Sequence, residues 1–157
     1  MQRRDFLKLG GASLIDMRIS GVSSASELPA DVTLTIAPVT VELSPTLVFS
    51  TVGYNGTAPG PVLHMREGQS QIVDVVNETD VPEHVHWHGL FLPPELDGAD
   101  EEGAVPVAPH SRRRFQFVPT PAGTRWYHTH TMAMADLHRG SYTGQCGFLI
   151  VHGARDT

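Results

Sequence analysis

The sequence predicts an all-β protein, built as a Greek-key β-sandwich or barrel. Short runs of apolar and β-branched residues alternate with polar residues along most of the chain, as expected of half-buried strands. Clusters of Pro, Gly and Asn interrupt these runs at about the spacing found in sandwiches and barrels. Only residues 132–139 have a helical pattern, and they form a short segment. These three observations favour one β-rich domain.

The individual strands are predicted in order from the alternation and from the turns between them. The runs over residues 32–36 and 39–43 are rich in Val, Thr and Leu, and Pro45 separates them from a strand over 47–52. Further strands are predicted over residues 62–66, 70–76, 84–88, 112–118, 126–130 and 146–152. The polar stretch over residues 93–111 is rich in acidic side chains and is predicted to be a loop.

The composition excludes several classes of function. Seventeen acidic residues against eleven basic ones give a net charge of −6, so we expect no nucleic-acid partner. No stretch reaches the roughly 18 apolar residues that a membrane span requires, so we expect no membrane span. Cys146 is the only cysteine, which excludes an internal disulfide and a thiolate-rich metal cluster. Its position in an apolar strand predicts a small core residue.

The N-terminal segment predicts an exported protein. Arg3 and Arg4 precede a short run rich in Gly and Ala, and small residues end at Ala25, which is similar to a twin-arginine export signal. Such a leader predicts a periplasmic or secreted location, whereas the alternative for this segment is a disordered polar tail. The expected organisation is a leader over residues 1–25, a linker over 26–31, a single domain over 32–153 and a tail over 154–157.

Two histidine pairs are the candidates for chemistry. Among nine histidines, His86 and His88 form one His-x-His pair, and His128 and His130 form another. Residues i and i+2 of a strand point to the same face, so each pair presents two imidazoles together. If the two strands are neighbours, four nitrogens converge, which is too many for one ion with an open position and suits a multinuclear site. Neutral imidazole suits copper, zinc, iron and nickel. The remaining histidines are expected to be surface or core residues: His64, His84, His110, His138 and His152.

The residues around both pairs belong to an ordered set of motifs. This set consists of Tyr54-Asn-Gly with Pro59-Gly-Pro, Glu67-Gly, His86-Trp-His-Gly, Leu96-Asp-Gly, Ala122-Gly-Thr, Trp126-Tyr-His-Thr-His and Gly144-Gln-Cys-Gly-Phe-Leu-Ile-Val. It resembles the first domain of the multicopper oxidases, the family of laccases and copper-resistance oxidases. The resemblance runs from about residue 32 to residue 151. It implies the cupredoxin (plastocyanin-like) form of the Greek-key sandwich, with copper as the cofactor.

The resemblance also implies a role for each residue of the two pairs. His86 would bind the type 2 copper, and His88 and His128 would share one of the paired type 3 coppers. His130 would bind the other type 3 copper. Asp97 is similar to the acidic residue that relays protons while dioxygen is reduced to water, and an ordinary Asp-Gly turn residue is the alternative for this position.

The chain departs from the family pattern in what it lacks. A type 1 copper site needs a cysteine with two histidines, and no histidine lies within five residues upstream of Cys146. Val107-Ala-Pro-His110 also replaces the usual Pro-Gly turn before a strand. We therefore expect a truncated or partial oxidase that supplies half of the oxygen-reducing site. Missing domains or a partner subunit would complete it, with dioxygen and an unidentified reducing substrate as its reactants. The isolated chain is not expected to be a competent enzyme.

Two other functions compete with this hypothesis. A periplasmic copper-binding or storage module needs ligands but no electron relay, and this chain satisfies that requirement. A zinc enzyme of β-barrel type would also use a His-x-His pair, but it requires a further carboxylate or histidine ligand. The His86-Trp-His-Gly context argues against zinc.

Overall fold

Two four-stranded sheets make up the fold. The structure, a computed structural model, describes residues 28–99, 103–131 and 140–156. The strands are β1 (Val32–Ser44), β2 (Leu47–Tyr54), β3 (Leu63–Arg66), β4 (Gln71–Asn77), β5 (Val85–His86), β6 (Ser111–Phe117), β7 (Gly123–Thr129) and β8 (Cys146–His152). One short helix, α1 (Pro94–Asp97), lies between β5 and β6, and a 3-10 turn (Gly140–Thr143) precedes β8. No helix among these residues has the length and apolar character needed to cross a membrane.

In each sheet, some neighbouring strands are distant from each other in sequence. One sheet has the order β2-β1-β4-β6 and the other has the order β3-β8-β7-β5. Strand β1 is parallel to β4, and β3 is parallel to β8, whereas the remaining pairs are antiparallel. The all-β prediction is therefore confirmed, with two sheets facing one another as in a Greek-key sandwich.

The two alternating runs at the start of the chain form one strand. In β1 the buried side chains are Leu34 and Ile36 in the first half and Val39 in the second, so the inward face changes phase around Pro38. The first half pairs with β4 only as far as Ile36. Pro38, which has no backbone N–H to donate, thus lies beyond that ladder, where β2 is the paired neighbour.

Aromatic side chains fill the space between the sheets. Trp87 is fully buried and its ring lies 5.3 Å from that of Phe117 and 5.7 Å from that of Phe115. Tyr54 and Tyr127 are also fully buried and meet edge to face at 5.1 Å. The residues that directly follow His86 and precede His128 therefore anchor both histidine motifs in the core.

Several local predictions differ from the structure. The strand expected over residues 84–88 is only two residues long in β5, because Gly89 turns the chain with φ of +86° directly after His88. The predicted loop over 93–111 contains helix α1. Cys146 is half-buried instead of lying in the core, although it begins β8 and its thiol is free. The predicted helix over 132–139 and the leader over 1–25 lie outside the described residues.

Candidate metal centre

The two His-x-His pairs meet where β5 pairs with β7. His86 lies directly opposite His128 in the antiparallel register. His130 follows the end of β7, and its backbone N–H donates to the carbonyl of His84 at 3.1 Å, which continues the contact between the two segments. His88 lies in the turn after β5. The structure thus brings together all four predicted ligands, although His88 and His130 lie just beyond the strand ends.

Three imidazole rings surround that of His86. Its ring centroid lies 5.2 Å from those of His88 and His128 and 5.3 Å from that of His130. Each of these pairs is nearly perpendicular, with interplanar angles of 77–83°. In each pair the edge of one ring therefore faces the plane of the other.

Three of the histidines place a ring nitrogen close enough to hold one small ion or to flank two. Potential ligand nitrogens of His86, His88 and His128 all lie within 4.8 Å of one another. Nδ1 of His88 and Nε2 of His128 are 3.4 Å apart. Two nitrogens bound to one ion at about 2.0 Å in tetrahedral geometry are about 3.3 Å apart. These two nitrogens therefore lie close enough together to bind a single ion.

Asp97 orients His86. Nδ1 of His86 lies 2.9 Å from Oδ2 of Asp97 and 3.0 Å from the Asp97 carbonyl oxygen, and both side chains are about 15% exposed. A metal-binding histidine commonly donates its second ring N–H to a carboxylate or carbonyl, which fixes the ring and frees the other nitrogen. Asp97 therefore favours the tautomer of His86 with the proton on Nδ1 and Nε2 available as a ligand.

The loop that carries Asp97 is tied to β5 by its backbone. The carbonyl of Asp97 accepts a hydrogen bond from the N–H of Trp87 at 3.1 Å. Gly98 ends α1 with φ of +88°, and a Cβ at this position would meet the Val85 carbonyl and lie 2.9 Å from Cα of His86. Only glycine permits this close approach, so the Asp97-Gly98 sequence positions the carboxylate beside His86.

His128 is oriented by its own strand. Its Nδ1 lies 2.8 Å from the carbonyl oxygen of Thr129, which leaves Nε2 for the site. Burial is the largest influence on the pKa of His128 and lowers it. The hydrogen bond to Thr129 opposes this effect, and the neighbouring imidazoles lower the pKa again. His128 thus keeps the neutral form that binds metals to a lower pH than an exposed histidine does.

A buried carboxylate missed by the sequence reasoning supports this region. Glu83 is 5% exposed, and its Oε2 accepts hydrogen bonds from the hydroxyls of Thr129 and Thr131 and from the amide of Gln145, all at 3.1–3.2 Å. These donors flank His130 in sequence or precede β8. The local sequence around Glu83, with Pro82 before it and His84 after it, gave no signal of this burial, although a buried carboxylate requires such partners.

One aromatic residue of the two motifs, Trp126, packs beside the imidazoles. Trp126 stacks on His128 with ring centroids 4.0 Å apart, and its ring also lies 5.0 Å from that of His88. Trp126 nevertheless remains 40% exposed, and Phe148 on the adjacent strand is 60% exposed. Both border a cleft of about 270 Å³ that Cys146 also lines. An apolar surface therefore adjoins the open side of the imidazole cluster.

Among the other histidines, His84 adjoins the centre through its backbone contact with His130, whereas His64, His110 and His152 have their contacts elsewhere. His64 and His152 contact each other on β3 and β8. Nε2 of His110 lies 2.8 Å from the carboxylate of Asp80. The backbone of His110 has φ of +50°, in the left-handed region, where the glycine of a Pro-Gly turn would sit without strain. His138 is outside the described residues.

Comparison with known proteins agrees with this arrangement. A family profile described as "Multicopper oxidase" matches residues 35–156. Copper resistance protein A of Pseudomonas syringae pv. tomato is 38% identical over 77 residues, which are 49% of this chain and 13% of that protein. Multicopper oxidase MmcO of Mycobacterium tuberculosis is 36% identical over 105 residues, which are 66% of this chain and 20% of that protein.

Solved structures share the same fold. A multi-copper oxidase from Pseudomonas thermotolerans aligns with a TM-score of 0.68 and 37% identity, over 80% of this chain and 30% of that one. A blue copper oxidase from Nitrosomonas europaea aligns with a TM-score of 0.70 and 29% identity, over 80% of this chain and 39% of that one. The chain therefore spans well under half of the length of these relatives.

Proposed function

This chain belongs to the multicopper oxidase family, and we propose that it supplies half of the type 2 and type 3 copper centre of such an oxidase. The convergence of three imidazole nitrogens within 4.8 Å carries this proposal. Copper is the cofactor of the family, and when bound it supplies the redox chemistry that reduces dioxygen to water while a donor is oxidised. The four histidines of this chain would hold the metal, and the groups beside His86 and His128 determine which ring nitrogen is free to bind it.

The family resemblance implies how the ligands divide between the ions. His88 and His128, whose facing nitrogens are 3.4 Å apart, would share one type 3 copper. His86 would bind the type 2 copper through Nε2, because its Nδ1 faces Asp97. His130 would bind the second type 3 copper, and its ring centroid lies 5.3 Å from that of His86 and 6.0 Å from that of His128.

Asp97 would relay protons beside the centre. Its carboxylate lies 2.9 Å from Nδ1 of His86 and remains 14% exposed, so it contacts both the ligand ring and solvent. A carboxyl group in this position orients His86 and can take up a proton from water and pass it toward the site. The alternative, a turn residue without chemistry, explains the backbone contact with Trp87 but does not require the carboxylate.

Another protein surface would complete the site. The imidazoles lie on the outer face of the sheet β3-β8-β7-β5, beside the exposed side chains of Trp126 and Phe148. A contiguous exposed apolar surface is typical of a face that another domain or subunit covers. Further domains or a partner would supply the remaining ligands and the type 1 copper that accepts electrons from the reducing substrate.

Export in a folded state would suit such a protein. We propose residues 1–25 as a twin-arginine leader, 26–31 as a linker, 32–153 as the cupredoxin-like domain and 154–157 as a tail, with a periplasmic or secreted location. Fusion of residues 1–31 to a reporter that fluoresces only when exported folded tests the leader, with Arg3→Lys/Arg4→Lys as the matched control. Equal export of both fusions would contradict it.

Copper binding by single-histidine variants tests the proposed site. Equilibrium dialysis should show that His88→Ala and His128→Ala each weaken copper binding strongly, whereas His110→Ala, the matched exposed control, does not. The bound copper should exchange readily with a chelator because its coordination is incomplete, and the isolated chain should not turn over a phenolic donor. Retention of copper against the chelator would instead favour storage. Multiple turnovers, or normal binding without His88 and His128, would refute the half-site.

A further inference from the structure

A second pair of imidazoles lies far from the candidate centre. His64 on β3 and His152 on β8 belong to neighbouring parallel strands, with Arg66 as the direct register partner of His152. Their rings stack at 5.2 Å with an interplanar angle of 16°, and Nδ1 of His64 lies 2.9 Å from Nε2 of His152. This pair is therefore formed by the tertiary fold, since 88 residues separate its members.

The position of the pair makes it independent of the first site. His128 pairs with Cys146 at one end of β8, and His152 is the last residue at the other end. Six residues of extended strand separate Cys146 from His152, which corresponds to about 20 Å. No ligand of the candidate centre can reach an ion held by His64 and His152.

We propose that His64 and His152 form a second, exchangeable metal site that prefers Cu²⁺. Two nitrogens bound to one ion at about 2.0 Å are about 2.8 Å apart when they are adjacent in a square, and about 3.3 Å apart in a tetrahedron. The observed 2.9 Å is the length of the hydrogen bond between the two rings, and it lies close to both values, so a small rotation of the rings toward the cleft lets both nitrogens bind one ion. The preference for Cu²⁺ follows from the ligand type, because Cu²⁺ binds nitrogen ligands most strongly among the divalent ions of the first row.

The surroundings of the pair leave room for the rest of a coordination shell. The two rings border an open cleft of about 380 Å³ that is also lined by Met65, Arg66 and Gln71. Water can fill the remaining coordination positions because His64 is exposed. Without metal, one ring donates a hydrogen bond to the other, so the facing N–H must release its proton to water or shift it to the other ring nitrogen before both rings can bind an ion.

Arg66 opposes a cation at this site. Its side chain lines the same cleft, and its guanidinium is positively charged at all relevant pH values. The site should therefore bind copper more weakly than the four-histidine cluster does, and neutralisation of Arg66 should tighten it. This dependence on a residue that is not a ligand distinguishes a site in this cleft from scattered surface binding.

Copper titration of the full chain tests the proposal. In a His88→Ala/His128→Ala background, Cu²⁺ titration with electron paramagnetic resonance should show one equivalent with two nitrogen ligands. Adding His64→Asn or His152→Asn should abolish that equivalent at concentrations that saturate the background protein. His110→Asn, which removes an exposed histidine outside the cleft, should leave it intact.

Three outcomes would overturn the second site. These are unchanged Cu²⁺ binding in both His64→Asn and His152→Asn, an equal loss in His110→Asn, and tighter binding of Zn²⁺ than of Cu²⁺. Arg66→Gln keeps both imidazoles and tests the site even if an asparagine variant unfolds. It should lower the dissociation constant for Cu²⁺, and an unchanged or raised constant would contradict the proposal.

Discussion

Substitution of Gly98 by alanine should damage both the stability of the fold and the orientation of His86. A Cβ on residue 98 would collide with the backbone carbonyl of Val85 and approach Cα of His86 to 2.9 Å. Backbone atoms of a paired strand cannot rotate away as a flexible side chain can. The loop that carries Asp97 must therefore move off β5, and the carboxylate must leave Nδ1 of His86.

The magnitude follows from two separate costs. A non-glycine residue in the left-handed region costs roughly 1 kcal/mol, and forcing extra atoms into a packed site costs a further 1–3 kcal/mol, approximately. Gly56 provides a matched control because its φ of +79° is similar and nothing lies within 4 Å of its added Cβ. The free energy of unfolding should thus fall by only about 1 kcal/mol in Gly56→Ala, whereas it should fall by about 2–4 kcal/mol in Gly98→Ala.

Urea unfolding of the two variants measures this difference, and copper dialysis measures its effect on the site. Loss of the groups that orient a metal-binding histidine typically costs about 10–100-fold in metal affinity. Gly98→Ala should show such a loss under conditions where it remains folded, and Gly56→Ala should not. Equal destabilisation of the two variants, or unchanged copper affinity in folded Gly98→Ala, would refute the argument that the Asp97 loop is locked against β5.

Other predictions concern charge, backbone strain and the thiol. Asp74 is buried between two arginines, and the hydrogen bonds from Arg114 chiefly lower its pKa. Ionised Asp74 therefore contributes to the free energy of unfolding above the unfolded pKa of about 3.9. This contribution is lost as the pH falls through the lowered pKa of the native state. Asp74→Asn should therefore cost about 2 kcal/mol at pH 7 and flatten the acid limb of the stability curve. His110→Gly should raise the free energy of unfolding by about 0.5 kcal/mol, because it relieves φ of +50°. Cys146→Ser should leave copper binding unchanged, and no intense blue thiolate–copper absorption should appear in either protein.

Each of these three outcomes has a direct contradiction. Chemical denaturation of Asp74→Asn from neutral to acidic pH should converge with the parent curve, and parallel curves would show that Asp74 is not the titrating group. A destabilised His110→Gly would show that the exposed contact with Asp80 outweighs the backbone strain. Weaker copper binding in Cys146→Ser would show that the thiol is a ligand.

The sequence predicted the elements that depend on local patterns. Alternation identified the strands. The two imidazoles of each pair lie close together, with ring centroids 5.2 Å apart for His86 and His88 and 6.0 Å apart for His128 and His130, although His88 and His130 lie beyond the strand ends. The sequence pattern did not give the exact end of β5, because the chain turns at Gly89 although the strand-like pattern continues to His88. The half-buried position of Cys146 depends on which face of β8 is covered, and the apolar composition of that strand does not reveal it.

Contacts between distant segments were beyond sequence reasoning. The carboxylate of Asp97 reaches His86 only because Gly98 permits close approach to β5, which a Leu-Asp-Gly motif does not disclose by itself. The pairing of His64 with His152 depends on the parallel alignment of β3 and β8, and both were predicted to be ordinary surface or core histidines. Glu83 was overlooked because its three hydrogen-bond donors come from segments more than 40 residues away.

Anomalous diffraction at the copper edge from crystals of the copper-loaded chain tests the central claim most directly. The account predicts a peak at about 2.0 Å from a ring nitrogen of both His88 and His128, on the outer face of β5 and β7. Copper bound elsewhere in the loaded protein, with no peak between these two rings, would contradict the assignment of half of an oxidase centre to this chain.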